Sequence, residues 1–224
     1  TMTSLDAHNT VAAEAHALGA SALADEWGDL SDRLNVTYPL SMIARARGEP
    51  EKTRGYLQQM LGMSRQAGYL FGEAQALVGL GYDAYLYGDY PSAREHYREA
   101  IGRFRELGME ADVVFNEGNL AQAEVKLGET AAARQHVRSL LSASRRDGRL
   151  PDTIFGVFIS GQILVVEGQV ERALHLFGMV RGRVDLDFQL APELESELAA
   201  LSMPPEQIEA ALAAGAALDI EAVV

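Results

Sequence analysis

A glycine recurs every 20 residues along this chain, at Gly28, Gly48, Gly68, Gly88, Gly108, Gly128, Gly148 and Gly168. Strict self-similarity of this kind marks a repeat architecture and outranks every other local signal. A spacing of 20 leaves room for one helix of about 15 residues and a tight turn, at about 1.5 Å rise per residue. Glycine is the residue most often found just past a helix C-terminus, where it takes the left-handed conformation without a Cβ clash. The ladder predicts helices that end at fixed intervals.

The residues between the glycines read as helices. Tyr97, Ala100, Ile101 and Phe104 follow the spacing of one helical face, and no stretch alternates convincingly as a strand. Asp89 is suited to cap a helix start, and Pro50, Pro91, Pro192 and Pro204-Pro205 suit first-turn positions. A longer echo, at 40 residues, makes the unit a helical hairpin. Gly48, Gly88, Gly128 and Gly168 are each followed after five positions by a small residue: Thr53, Ala93, Ala133, Ala173. A larger apolar residue comes four later (Leu57, Tyr97, Val137, Phe177), and Met60, Ala100, Leu140 and Val180 three after that. Small then large on one face lets two helices approach and interlock.

The second unit reads Leu77-x-x-Leu80-Gly81, then Gly88-Asp89-Tyr90, Ala93, Tyr97 and Ala100. This resembles the signature of a tetratricopeptide repeat. Ser41 and Ala121 replace the first-helix glycine in units one and three, and Gly161 restores it in unit four. The period of 40 exceeds the usual one of about 34. Longer hairpins of this kind resemble the repeats of bacterial LuxR-like and maltose-regulator-like transcriptional regulators with a predicted ATPase. The run Leu176-Phe177-Gly178, with Ile208, Leu212, Gly215, Ala217, Leu218, Ile220 and Glu221, is similar to the segment that closes those arrays.

The resemblance implies an all-α, right-handed superhelix of helical hairpins over residues 1–184, with an acidic helical cap over residues 185–224. Residues 11–27 align with a second helix that lacks its partner. Either the chain is a fragment of a longer protein, which is the favoured expectation, or the array starts with a lone capping helix; the unpaired helix would leave an apolar edge for a second copy to cover as a homodimer.

Composition excludes several function classes. The chain has no cysteine, which removes disulfides, thiolate zinc sites and cysteine nucleophiles. The most apolar stretch, residues 153–166, is too short to span a bilayer and is interrupted by Ser160, Gly161 and Gln162. No basic region precedes an apolar core at the start of the sequence, so a cytoplasmic setting is expected. The net charge is -13, and no Lys or Arg follows Arg183. No basic stripe suits a phosphate backbone, so direct nucleic-acid binding is not expected.

Catalytic constellations are also missing. Gly79-x-Gly81-x-x-Ala84 fits a dinucleotide fingerprint superficially, but it follows a helical run rather than a strand, and Gly81 has a packing role in the repeat. His96 and His136 occupy equivalent slots of adjacent units, at a spacing too wide for one metal ion. There is no metalloprotease helix motif and no nucleophile elbow. Neither an enzymatic activity nor a cofactor is expected.

What remains is a surface. In stacked hairpins the first helices line the concave side. The groove positions implied by the resemblance form three ladders: Tyr38, Val78, Gly118, Phe158; Met42, Tyr82, Gln122, Gln162; and Arg45, Tyr85, Val125, Val165. Asn119 and Lys126 are expected nearby, and Tyr82 and Gln122 are expected to be exposed. Aromatic and Arg side chains bury much area and keep a polar handle, as binding anchors do. The apolar run 157–166 is expected to be covered by the C-terminal cap or to meet an apolar partner segment. The expected function is non-catalytic recognition of a protein or peptide, with a small-molecule effector as the alternative ligand.

Overall fold

The computed structural model describes residues 30–183 and 190–218, together with Gly19 and Ile220. The lone helix expected over residues 11–27 lies outside them except for Gly19. The described residues are all-α. Eight helices follow the ladder: α1 (Leu30–Ala46), α2 (Pro50–Ala67), α3 (Leu70–Leu86), α4 (Tyr90–Glu106), α5 (Glu110–Lys126), α6 (Thr130–Asp147), α7 (Leu150–Val166) and α8 (Val170–Arg181). Two shorter helices follow, α9 (Leu190–Ala199) and α10 (Pro205–Ala216). The chain divides after Glu110 into two compact units.

The turns are made as the ladder predicts. Gly48, Gly68, Gly88, Gly108, Gly128, Gly148 and Gly168 all have φ between 65° and 79°, and no other described residue has a positive φ. At Gly88 the amide donates to the Tyr85 carbonyl at 3.1 Å, and the Asp89 amide to Ala84 at 2.9 Å. This pair of bonds closes the last helical turn on its own carbonyls. Asp89 then accepts a hydrogen bond from the Ser92 amide at 3.2 Å and caps α4. The Ser92 hydroxyl, and after it the Ser92 amide, hold the Asp89 carboxyl below its ordinary pKa.

In the first unit α1 packs on α2, α2 on α3 and α3 on α4. The small-then-large face of the second helices is the core of both units. Across Thr53, Leu57, Met60, Ala93, Tyr97, Ala100, Ala133, Val137, Leu140, Ala173, Phe177 and Val180 no residue is more than 4% exposed. Complete burial of a side chain the size of Leu57 or Phe177 contributes about 1.5–3 kcal/mol. Knobs meet holes across the second and fourth hairpins. The Tyr97 ring lies over Gly81, where a Cβ would come within 2.8 Å of ring carbon Cε1. The Phe177 ring covers Gly161 in the same way.

Buried carboxylates tie the first unit laterally. Glu73 is 5% exposed; its Oε1 accepts a hydrogen bond from Arg65 Nε at 3.1 Å and forms an ion pair with Arg103, whose Nε is also 3.1 Å away. Asp83, also buried, faces Arg54 Nη2 at 3.4 Å.

In the second unit the apolar segment over α7 is the centre. Ile154, Phe158 and Ile159 are fully buried. Leu190, Leu194 and Leu198 of α9 and Leu212 of α10 join the same cluster. The two C-terminal helices attach differently. A Cβ on Gly178 would collide with the Leu212 carbonyl, and one on Gly215 with the His175 carbonyl. The backbones of α8 and α10 are therefore in direct contact, at the glycines of the closing segment. Helix α9 meets α7 and α8 chiefly through its side chains.

Candidate functional site: the first-helix faces

The positions expected to form a binding groove divide between the two units. In the first unit α1 and α3 carry them. Met42 is 38% exposed, and Tyr38, Arg45, Val78 and Tyr82 are half-buried. The Arg45 guanidinium stands over the Tyr82 ring, 4.8 Å from its centroid. It also donates from Nη2 to the Gly79 carbonyl at 3.1 Å and from Nη1 to Met42 Sδ at 3.4 Å. A cation stacked on a ring and anchored to the backbone is held in one orientation. Tyr85 corrects the expectation. It is 8% exposed and packs edge-on against Tyr90, with ring centroids 5.6 Å apart, so it belongs to the core.

In the second unit α5 and α7 carry the remaining positions, and α9 lies on them. The Gln122 side chain, expected to be exposed, is buried: its Nε2 donates to Glu193 Oε2 at 2.9 Å. Lys126 Nζ reaches Glu197 Oε1 at 2.5 Å, and Gln162 Nε2 donates to the same oxygen at 2.7 Å. Phe158 is fully buried against Phe177, with centroids 5.7 Å apart, and is a core residue rather than a groove residue. Asn119 is half-buried and donates to Asn116 Oδ1 at 3.1 Å.

Sequence reasoning missed the residues that answer these groups. Glu193 and Glu197 fall in the pattern Leu190-x-x-Glu193-Leu194-x-x-Glu197-Leu198. One face of a helix carries all five, since positions three and four apart are neighbours there. The leucines enter the α7 cluster and the two carboxylates meet Gln122, Lys126 and Gln162. The acidic composition of the tail was visible, but the five-residue face within it was the signal that located the contact.

Gln162 is 2% exposed, and its Oε1 has no hydrogen-bond donor among the described residues. The resident helix therefore satisfies only half of this amide.

A second concavity lies elsewhere in the same unit. A cavity of about 420 Å³ is lined by Leu141, Val157, Leu164 and Leu176 together with Arg134, Arg172, His175, Ser160 and Leu218. Arg134 is engaged by Glu167, through Nη2 to Oε2 at 2.5 Å and Nε to Oε1 at 3.2 Å. That pairing holds the Glu167 carboxyl below its ordinary pKa.

Gly79 and Gly81 sit in the middle of α3, facing Leu57 and Tyr97. Their spacing is thus explained by helix packing. His136 Nε2 is 3.7 Å from the buried Glu124 carboxylate, whereas His96, its equivalent one unit earlier, is half-buried beside Asp89, Glu95 and Glu99. Burial pushes the His96 imidazole below its ordinary pKa.

Compared with protein-family models and with curated proteins, the chain matches none.

Proposed function

We propose that this chain is a non-catalytic recognition domain that binds a segment of another protein on the first-helix faces of its hairpins. The observation that carries this reading is the grip on α9. Three of the positions that the resemblance places in or beside a groove, Gln122, Lys126 and Gln162, hold a helix by side-chain hydrogen bonds. Leucines of that helix are buried beside them. This combination of apolar anchors and oriented polar contacts is how an amphipathic helix is read in a groove. In the first unit Tyr38, Met42, Arg45 and Tyr82 offer aromatic, thioether and cationic groups of the kind that anchor protein contacts. The resemblance of the repeats supports a place at the sensory end of a bacterial transcriptional regulator, in the cytoplasm.

Site-specific photo-cross-linking tests this. A photoreactive amino acid replacing Tyr82 in the source cells is expected to capture a discrete polypeptide, and one replacing Arg98, on the outer side of α4, is not. Equal capture from both positions, or none from either, sinks the reading. An immunoblot of the native polypeptide tests the regulator placement, which requires a band much larger than 24.3 kDa.

A second reading is favoured by the 420 Å³ cavity. Its apolar lining with Arg172 and His175 suits a small amphiphilic anion as effector. Titration with octanoate should then raise the melting temperature of the wild type, and much less that of an Arg172→Gln variant.

A further inference from the structure

We propose that the α5–α7 face is a receptor for an acidic amphipathic helix supplied by another protein, and that α9 is its built-in competitor. The inference rests on the recognition reading above and adds the chemistry of the partner. The partner helix carries leucines at positions i, i+4 and i+8 and glutamates at i+3 and i+7, as α9 does at Leu190, Leu194, Leu198, Glu193 and Glu197.

Three observations set α9 apart from a fixed part of the fold. The first is the contrast with α10. Gly178 and Gly215 bring the backbones of α8 and α10 into contact, so α10 cannot leave without opening the unit. Helix α9 is held by three leucines and by carboxylates reaching Gln122, Lys126 and Gln162. The second is the nature of those bonds. They join carboxylates to two amides and an ammonium, as an interface does, and the leucines alone would have sufficed for a core. The third is the half-satisfied Gln162 amide, whose Oε1 lacks a donor among the described residues. A buried acceptor left unmade is costly, so α9 is an imperfect occupant. A partner helix with an amide or a cationic side chain at that point would satisfy it and bind better.

A tethered helix competes at an effective concentration in the millimolar range for short connections. A free helix of equal intrinsic affinity is therefore largely excluded, and a better one enters. Binding of the partner releases α9, which makes occupancy visible to the rest of the protein.

The test uses the full 224-residue chain and a fluorescein-labelled synthetic peptide with the sequence of residues 190–201. Anisotropy titrations compare the wild type with a Glu193→Gln/Glu197→Gln variant. The expected result is at least tenfold tighter binding to the variant, lost again when Lys126→Ala and Gln122→Ala are added. Equal binding to wild type and variant, or no binding to a variant that melts cooperatively, overturns the proposal. If that variant fails to fold, the wild type decides. With ¹⁵N-labelled chain and unlabelled peptide at roughly 10 mM, above the effective concentration of the tethered helix, amide exchange in α9 should rise while α10 stays protected. Unchanged exchange in α9 overturns the proposal. A peptide-dependent dimer on size-exclusion chromatography does so as well, since α9 would then be exchanged between copies. A chain that cross-links a partner at position 82 yet shows no response at α9 loses this inference and keeps the recognition reading.

Discussion

The ring of Tyr97 lies against Gly81, so close that a Cβ there would sit 2.8 Å from Cε1 and 2.9 Å from Cδ1. The pair belongs to opposite helices of one hairpin, and it shows how each unit is keyed. Units two and four set an aromatic ring over glycine, Tyr97 on Gly81 and Phe177 on Gly161. Units one and three have a smaller partner and a larger base at the same positions: Leu57 with Ser41, and Val137 with Ala121. Gly81→Ala should therefore overpack α3 against α4 and destabilise by about 1–3 kcal/mol. Added to Tyr97→Val it should cost much less than it does alone, because the ring is gone. Urea denaturation of the two single variants and the double variant measures the coupling. Additive effects would mean that the two residues do not share a contact.

Two other glycines should respond in opposite directions. Gly108 has φ +69° and open space around it, so Gly108→Ala is opposed by backbone strain alone. That cost is about 1–2 kcal/mol. Gly102 lies inside α4, also with open space around its Cα. Gly102→Ala should raise stability by roughly 0.5–1 kcal/mol, because alanine loses less backbone freedom on folding. Paired thermal melts decide both signs.

The Glu73 junction should be asymmetric. Arg65 and Arg103 remain partly solvated, with side chains 48% and 29% exposed, whereas that of Glu73 is 7% exposed. Glu73→Gln leaves two hydrated cations and keeps an acceptor, and should cost about 1–2 kcal/mol. Removing both cations, Arg65→Met with Arg103→Met, leaves a buried unpaired carboxylate and should cost about 3–5 kcal/mol. The ordering of the two denaturation midpoints is the check.

Two groups give pH dependence of opposite sign. Burial, aided by the charge of Arg65, lowers the folded pKa of His96 below its ordinary 6.5 against the charges of Glu99, Asp89 and Glu95, which raise it. The unfolded chain then binds more protons, so stability from this group is full above pH 6.5 and is lost as pH falls through the folded pKa. His96→Gln should flatten the stability curve in that window. Burial raises the folded pKa of Asp152 above its ordinary 3.8, although Arg149 opposes it. Stability from Asp152 is full below 3.8 and falls as pH rises through the folded value. Asp152→Asn should therefore gain stability at pH 7 relative to wild type and gain none at pH 3. Denaturation at stepped pH separates the two contributions.

The histidines show where an equivalence in sequence stops. His96 and His136 fill the same slot 40 residues apart and looked interchangeable. In the structure one faces a buried glutamate on α5, while the residue 40 before that glutamate is Ala84. A repeat fixes the position of a side chain on its helix, but the neighbours that give it a chemical environment come from positions that do not repeat.

The sequence by itself determined the helices, their turns and their buried faces. A left-handed glycine closes each turn through bonds spanning a few residues, and the small-large face at Ala93, Tyr97 and Ala100 depends only on helical period. These are local constraints, readable one unit at a time. Tertiary structure alone decided which first-helix positions are open. The resemblance places Gln122 on an open face, yet it is buried because Glu193, 71 residues away, lies on it. Whether a groove is filled depends on a segment outside the repeat, whose docking is set by the sum of long-range contacts. A periodic pattern specifies the shape of each unit, while its occupant is specified by surfaces that meet only once the chain has folded.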